Sequence, residues 1–412
     1  MSAETLTSWI DRDRDQLVNF LRDLIRARSP NPPGDTVEAA GVISRYLRAQ
    51  GLEYQAVEPL KSAPNIVSSF TAGSGGRHLV LNGHLDTYPC DDPEDWSRAP
   101  FGGDIADGRI YGRGASDMKA GTAAITIAFG YLARLKDQLN GRLTFTAVSD
   151  EETGGLWGAK YLIDHCDVVG DCLLNAEPGA PTTIRFGEKG SLKLRFSVRT
   201  LGCHGAYTHK SKSANKLAAG LIAGLEEITE LPAATSDNIR RMLTHASPEF
   251  DRVHGAGAAR VLGEYTVNVG VVKGGVKMNM LPAACDCDVD IRIPIGGSIA
   301  QAQAKAAEIA ARFPEVEMSL LASDEASWSD PDHPLLEAMK TGCERIIGGD
   351  VAVVTSLGAT DARHWRAAGV PSFTYGTTAT NVAMADEHTL IEEWVNVVKV
   401  HALSAYGLLA RG

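Results

Sequence analysis

The chain has 412 residues, too many for one ordinary core, so two domains or one large domain with an insertion are expected. Hydrophobic residues make up 44% and charged residues 22%, the balance of a soluble globular protein. The formal net charge of −11 argues against nucleic acid or an anionic membrane as a general partner, but not against an anionic substrate held by local charge and metal.

The opening stretch MSAETLTSWIDRDRD has neither a basic n-region nor an apolar h-region, so no secretory signal is expected. No later run approaches the roughly 18–20 apolar residues that cross a bilayer. Leu17, Phe20, Leu21, Leu24 and Ile25 recur with helical spacing and predict an amphipathic helix. SPNPPGDT breaks it, and Asp35 or Thr36 is placed to cap a second helix reaching about Ala49. NIVSSF and HLVLNGHLDT read as strands, the second apolar enough for a strand covered on both faces. A helix from Thr122 to Leu135, the strand RLTFTAVSD, a helix from about Leu156 and the strand DCLLNAEP follow. This alternation predicts an α/β domain with a mostly parallel sheet.

The pattern changes near Ser191. SLKLRFSVRT alternates, as in a strand with one exposed face. Then come a helix from Ala214 to about Thr229, the strands EYTVNVGVVKGG and ACDCDVDIRIP, a helix from Ile299 to Phe313 and the strand VEMSLLA. That order is β-α-β-β-α-β, a ferredoxin-like α+β unit, interrupted by a polar excursion over 231–262. From about Asp324 the α/β style returns with VAVVTSLG, a helix near Ala362 to Ala368, VPSFTYG and a last helix from Ile391. The expected organisation is therefore a domain of residues 1–190 plus 323–412, with residues 191–322 inserted. The seven cysteines include no CxxC pair, and Cys285 and Cys287 are too extended on their strand for a disulfide. All seven read as reduced thiols of a cytoplasmic protein.

Four segments place metal-ligand residue types just after an apolar strand or Gly-rich turn: His84 and Asp86 in NGHLD, Asp117 in GRGASDMKAG, Glu151 and Glu152 in SDEETGG, and Glu177 in NAEP. In a parallel sheet the strand C-termini share one edge, so these residues converge. Each has a bland reading alone: a core histidine, a helix N-cap, first-turn acids. Together they predict a carboxylate and imidazole cluster that needs cations, of a kind suited to zinc or similar metals.

GHLDTYP, GRGASDMKAG, SDEETGG and NAEP resemble the successive signatures of the dinuclear zinc amidohydrolases. That superfamily comprises aminoacylases, acetylornithine deacetylase, succinyl-diaminopimelate desuccinylase and the glutamate-releasing carboxypeptidases. The resemblance covers nearly the whole chain and makes the insertion a lid and dimerisation domain. It implies two divalent ions, zinc first, with manganese or cobalt as alternatives. His84 and Glu177 would hold one ion, Glu152 the other, and Asp117 would bridge them. Asp86 would orient His84, and Glu151 would be the general base. In the lid, His204 rather than His209 would stabilise the oxyanion, and Asn279 in KMNMLP and Arg292 would contact substrate. Thr360, Asp361 and Arg363 in GATDARHW would line the pocket, Asp361 having a helix N-cap as its other reading.

One position departs from the superfamily pattern. Where a histidine is expected four residues before Glu387, this chain has Ala383 in NVAMADEHTL. His388 is then the candidate last ligand, with Asn381 as another. The expected function is hydrolysis of the amide bond of an N-acyl amino acid or similar small acid by a homodimer. The alternatives are a carboxypeptidase or dipeptidase, and a binding protein that has lost a metal ligand.

Overall fold

The computed structural model describes residues 2–90 and 93–411. Its contacts divide the chain into a larger unit, residues 1–186, 328–354 and 360–412, and a smaller one, residues 187–327 and 355–359.

The larger unit is built on a nine-stranded mixed sheet. At its centre lie four mutually parallel strands, in the order Gly141–Val148, Arg77–His84, Cys172–Asn175 and Ser372–Thr374. Antiparallel neighbours flank them, Asn65–Ala72 on one side and Thr183–Glu188 on the other. The central strands are apolar on both faces because helices cover both. Phe129 of the helix Lys119–Arg134 stacks between Phe70 and Phe145, with ring centroids 5.3 and 5.7 Å apart. Val80, Val148 and Leu173 pack with Ala159, Leu162, Ala362 and Trp365 from the helices Ala159–His165 and Ala362–Ala367. Fully burying side chains of this size contributes about 1.5–3 kcal/mol each.

The smaller unit is a four-stranded antiparallel sheet in the order Thr266–Gly274, Ala284–Ile293, Gly190–Arg199, Val316–Asp324. This is the ferredoxin-like order that β-α-β-β-α-β connectivity gives. Leu192, Leu194, Phe196 and Val198 point to one face, with Cys285, Cys287, Val289 and Ile291, and pack on the helices Ala214–Leu225 and Ile299–Ala310. The other face carries cross-strand pairs such as Arg195–Asp288, 2.6 Å, and Arg199–Asp286, 2.8 Å. All seven cysteines are free thiols.

Three expectations shift. The helix expected at Thr122 begins at Lys119, and the one expected near Leu156 begins at Ala159, because residues 151–158 form a tight turn first. The excursion over 231–262 holds a helix, Asp237–His254, capped by the Ser236 hydroxyl, which accepts from the Ile239 N–H. Its buried Ile239, Ala246 and Phe250 have helical spacing, but Pro248 and the many polar residues mask it. The helices Ser2–Arg12 and Pro334–Ile347 add to the expected elements.

His401, on the long helix Ile391–Leu409, is completely buried, with neither ring nitrogen in a hydrogen bond. Its ring stands edge-on to Tyr375, 5.7 Å away. Burial pushes its imidazole down to about 3, which a weak contact with the Tyr375 backbone opposes without cancelling. Between about pH 6.5 and the folded value the unfolded chain binds the extra proton, so stability falls as the pH falls through that window. His401→Phe is expected to raise the melting temperature more at about pH 5 than at about pH 8. An equal change at both pH values would refute this assignment.

Candidate metal centre

The strand-end rule operates as the alternation suggests. His84 ends the strand Arg77–His84, Asp150 to Thr153 follow Gly141–Val148, and Glu177 follows Cys172–Asn175. Asp117 comes from the loop that starts the helix Lys119–Arg134, and a cis peptide bond joins it to Met118.

His84 is fully buried. Its Nε2 lies 3.2 Å from Asp117 Oδ1 and 3.4 Å from Glu177 Oε1. Its Nδ1 lies 2.9 Å from the Asp86 backbone carbonyl and 3.5 Å from the Asp86 carboxylate. With the Nδ1 hydrogen directed at Asp86, Nε2 faces the acids. The Asp86 carboxylate is mainly engaged elsewhere. Its oxygens accept the N–H of Glu151 at 3.2 Å, the N–H of Glu152 at 3.1 Å and the Asn31 amide at 2.9 Å. Asp86 therefore orients the acidic turn as much as the histidine.

SDEETGG is a one-turn 3-10 segment. Asp150 takes a left-handed conformation, φ 73°, and its carboxylate accepts from the Trp157 N–H at 3.0 Å and from the Thr153 hydroxyl. Gly154 and Gly155 both have positive φ, and a Cβ on Gly155 would lie 2.8 Å from His364 Nε2 and 3.3 Å from Asp361 Oδ1.

The electrostatics show an uncompensated excess of acid. Burial raises the Glu152 carboxyl to about 10, reinforced by Asp117 and opposed by His84. Burial and the Glu177 charge hold Glu151 well above the usual range, while His84 and Arg363 oppose. Glu177 is raised by burial and by Asp117. Burial alone would lower the His84 imidazole, but Glu177, Asp117 and Asp86 together hold it well above its ordinary value. Among the described residues, two groups bring ligand atoms within 4.8 Å of one another: His84, Glu151, Glu177 and His84, Asp117, Glu152. Glu152 Oε1 is buried with no hydrogen-bond partner. A donor set of one imidazole and clustered carboxylates, one with an orphaned oxygen, fits divalent cations.

Other sequence candidates fall in different places. Asp361 is fully buried, and burial lifts it to about 7 against His84 and Arg363. It makes no cap. The Thr360 hydroxyl accepts the Ala362 N–H at 3.2 Å instead, and both Asp361 oxygens lack hydrogen bonds. Arg363 Nη1 reaches Glu151 Oε1 at 3.4 Å and the Thr360 carbonyl at 3.3 Å. His388 joins neither ligand group. Its Nδ1 lies 2.8 Å from the Asp386 carbonyl and its ring packs on Tyr111, centroids 5.0 Å apart. Its place on the strand His388–Leu390, paired to Arg109–Tyr111, accounts for this orientation. Asn381 donates to the carbonyls of Ala385 and Asp386. In the smaller unit, exposed His204 pairs across strands with Met280, and the Asn279 carbonyl accepts the Gly205 N–H at 2.8 Å. Arg292 is ion-paired with Asp290 at 2.9 Å.

Sequence reasoning missed Asn31, Arg113 and Glu387. Buried Glu387 accepts the N–H groups of Ser116 and Asp117 at 2.8 and 2.9 Å and pairs with Arg113 at 2.6 Å. Arg113 also donates to the carbonyls of Ala383 and Met384, both at 3.2 Å. Tyr88 was missed too; burial and the charges of Glu152 and Asp117 push its phenol up to about 12.

A convergent acid and imidazole cluster at the C-terminal edge of an α/β sheet is the donor set a metallohydrolase needs. The model of peptidase family M20/M25/M40 matches residues 80–406, and the chain belongs to that family. It is an enzyme, a metal-dependent hydrolase, as the superfamily resemblance implied. A succinyl-diaminopimelate desuccinylase of Cereibacter sphaeroides is 29% identical over 400 residues, covering 94% of this chain and 96% of the relative. The M20 family metallo-carboxypeptidase Sso-CP2 of Sulfolobus solfataricus shares the fold with a TM-score of 0.78 at 18% identity, over 96% of this chain and 99% of that one. Human carnosine dipeptidase 1 shares it at 0.77 and 15% identity, over 99% of both chains.

Proposed function

We propose that this enzyme hydrolyses the amide bond of an N-acyl amino acid or similar small amidated acid. The observation that carries the reading is the single site edge on which His84, Asp117, Glu152 and Glu177 gather with Glu151 beside them. His84, Glu177, Asp117 and Glu152 would hold two divalent ions, zinc first and manganese or cobalt next, which supply an acidified water and a polarised carbonyl. Asp86 fixes the imidazole and the turn. Glu151 takes the proton from water and returns it to the leaving amine. Arg363, ion-paired with Glu151, holds it in the turn and offers a cation to an acidic substrate, with Thr360 and Asp361 beside it.

A succinyl substrate is the first to try, since the 29% identical relative is named for desuccinylation. The family resemblance further supports cytoplasmic work as a homodimer through the smaller unit, with His204 stabilising the oxyanion, so that its substitution would lower kcat, and Asn279 and Arg292 contacting substrate, so that theirs would weaken substrate affinity.

The test is a hydrolysis screen of N-succinyl, N-acetyl and N-formyl amino acids beside dipeptides, with zinc, manganese or cobalt added. N-acyl amino acids are expected to exceed dipeptides in kcat/KM by at least about tenfold, the size of about one lost contact at the reacting centre. Chelation should abolish all turnover. Faster cleavage of dipeptides would replace this reading with a dipeptidase, and turnover unaffected by metal removal would overturn it.

A further inference from the structure

We infer that Asn31 is a positioning residue for the metal centre, a role that rests on the hydrolytic reading above. Asn31 lies in SPNPPGDT, a segment distant in sequence from the four acid-bearing motifs, and is 8% exposed. Its amide nitrogen donates to Asp86 Oδ2 at 2.9 Å and to Thr153 Oγ1 at 3.0 Å. One side chain thus bridges the residue that holds His84 and the turn that carries Glu151 and Glu152. The relay continues, since the Thr153 hydroxyl donates to Asp150, whose carboxylate accepts the Trp157 N–H.

The segment is built to hold that amide still. The Asn31 N–H donates to the Thr87 carbonyl at 2.8 Å, and the Thr87 N–H donates to the Ser29 carbonyl at 2.9 Å, tying it to the strand exit that bears Asp86. Gly34, at φ 82°, closes back on it, its N–H donating to the Pro30 carbonyl at 2.9 Å, and a Cβ there would lie 3.0 Å from Asn31 Oδ1. The neutral amide suits the place. Asp86 accepts only from donors: the N–H groups of Glu151 and Glu152, His84 and this amide. A carboxylate in its stead would face the Asp86 carboxylate directly and add a sixth acid to Asp86, Asp117, Glu151, Glu152 and Glu177. Asn31 touches neither of the two ligand groups directly and acts through Asp86 and Thr153.

The full-length protein carrying Asn31→Ala or Asn31→Asp tests this, with zinc affinity read by competition against a chromophoric chelator. Loss of a hydrogen bond to a residue that orients ligands typically weakens metal binding about 10–100-fold, so a fall of about tenfold or more is expected for Asn31→Ala. Asn31→Asp keeps the shape and removes the donor, and is expected to be at least as harmful. For the best substrate of the screen, kcat should fall with KM held within about threefold, as when only transition-state geometry is lost. Thr153→Val should cost less alone, and its effect should not add fully to that of Asn31→Ala. A lower melting temperature with unchanged zinc affinity and kcat would make Asn31 merely structural and overturn the inference. Wild-type protein that binds no zinc, manganese or cobalt would overturn the metallohydrolase reading itself, a failure visible without any variant.

Discussion

Glu151→Gln is expected to lower kcat by about 10²–10⁴-fold, the usual contribution of a positioned base, while metal content stays at the wild-type level. Glutamine keeps the volume of the side chain and an oxygen for Arg363 Nη1, 3.4 Å away, but cannot take up a proton. Glu152→Gln is expected to do the reverse first. Its carboxylate is pressed by Asp117 and has a buried oxygen with no partner, so its loss should lower metal content and activity together. The comparison is needed because Glu151 reaches His84 and Glu177 as closely as a ligand would. Metal loss in Glu151→Gln equal to that in Glu152→Gln would make Glu151 a ligand and leave the base to be found elsewhere. His388→Ala should leave metal content unchanged, since its ring faces Tyr111 and the Asp386 carbonyl.

What could be read in advance followed from short-range rules. Apolar runs such as LVLNGH specify covered parallel strands, and parallel strands bring their ends to one edge, so residues from His84 to Glu177 could be gathered without any contact being known. What could not be read depends on partners set by tertiary structure. Asn31 and Asp86 are 55 residues apart, and Arg113 and Glu387 are 274 apart. In one dimension Asn31 sits in a helix-breaking segment, and Glu387 only marks where the resemblance expects a histidine four residues earlier. His388, the expected last ligand, stands outside both ligand groups in this structure for a related reason. Proximity in sequence to Glu387 does not give proximity in space, because Glu387 ends the preceding loop while His388 opens the strand His388–Leu390, paired to Arg109–Tyr111. Glu387 turns inward to the backbone of Ser116 and Asp117, while the His388 ring packs on Tyr111.

The metal-free protein is expected to lose stability as the pH rises, and metal is expected to restore it. Glu152 titrates at about 10 in the folded chain, raised first by burial and then by Asp117, against an ordinary value of 4.5. Glu151 and Glu177 shift in the same direction. Across the window between those values the folded state binds more protons than the unfolded chain, so these groups stabilise below the ordinary carboxylate value and lose that contribution as the pH climbs toward the folded one. His84, whose imidazole the same acids hold above its ordinary value, also loses its share as the pH rises. The chelated protein should therefore melt about 2 °C lower at pH 9 than at pH 6, the size of roughly 1–2 kcal/mol in a chain of this length. Glu152→Gln removes the acid that meets Asp117 and should flatten that slope, at the expense of the metal content discussed above. Saturating zinc should lift the curve most at the alkaline end, because the bound cation replaces protons that the folded acids otherwise retain. A melting temperature that does not depend on pH without metal, or a zinc effect equal at both pH values, would mean that these carboxylates are not the strained, cation-seeking set that their geometry describes.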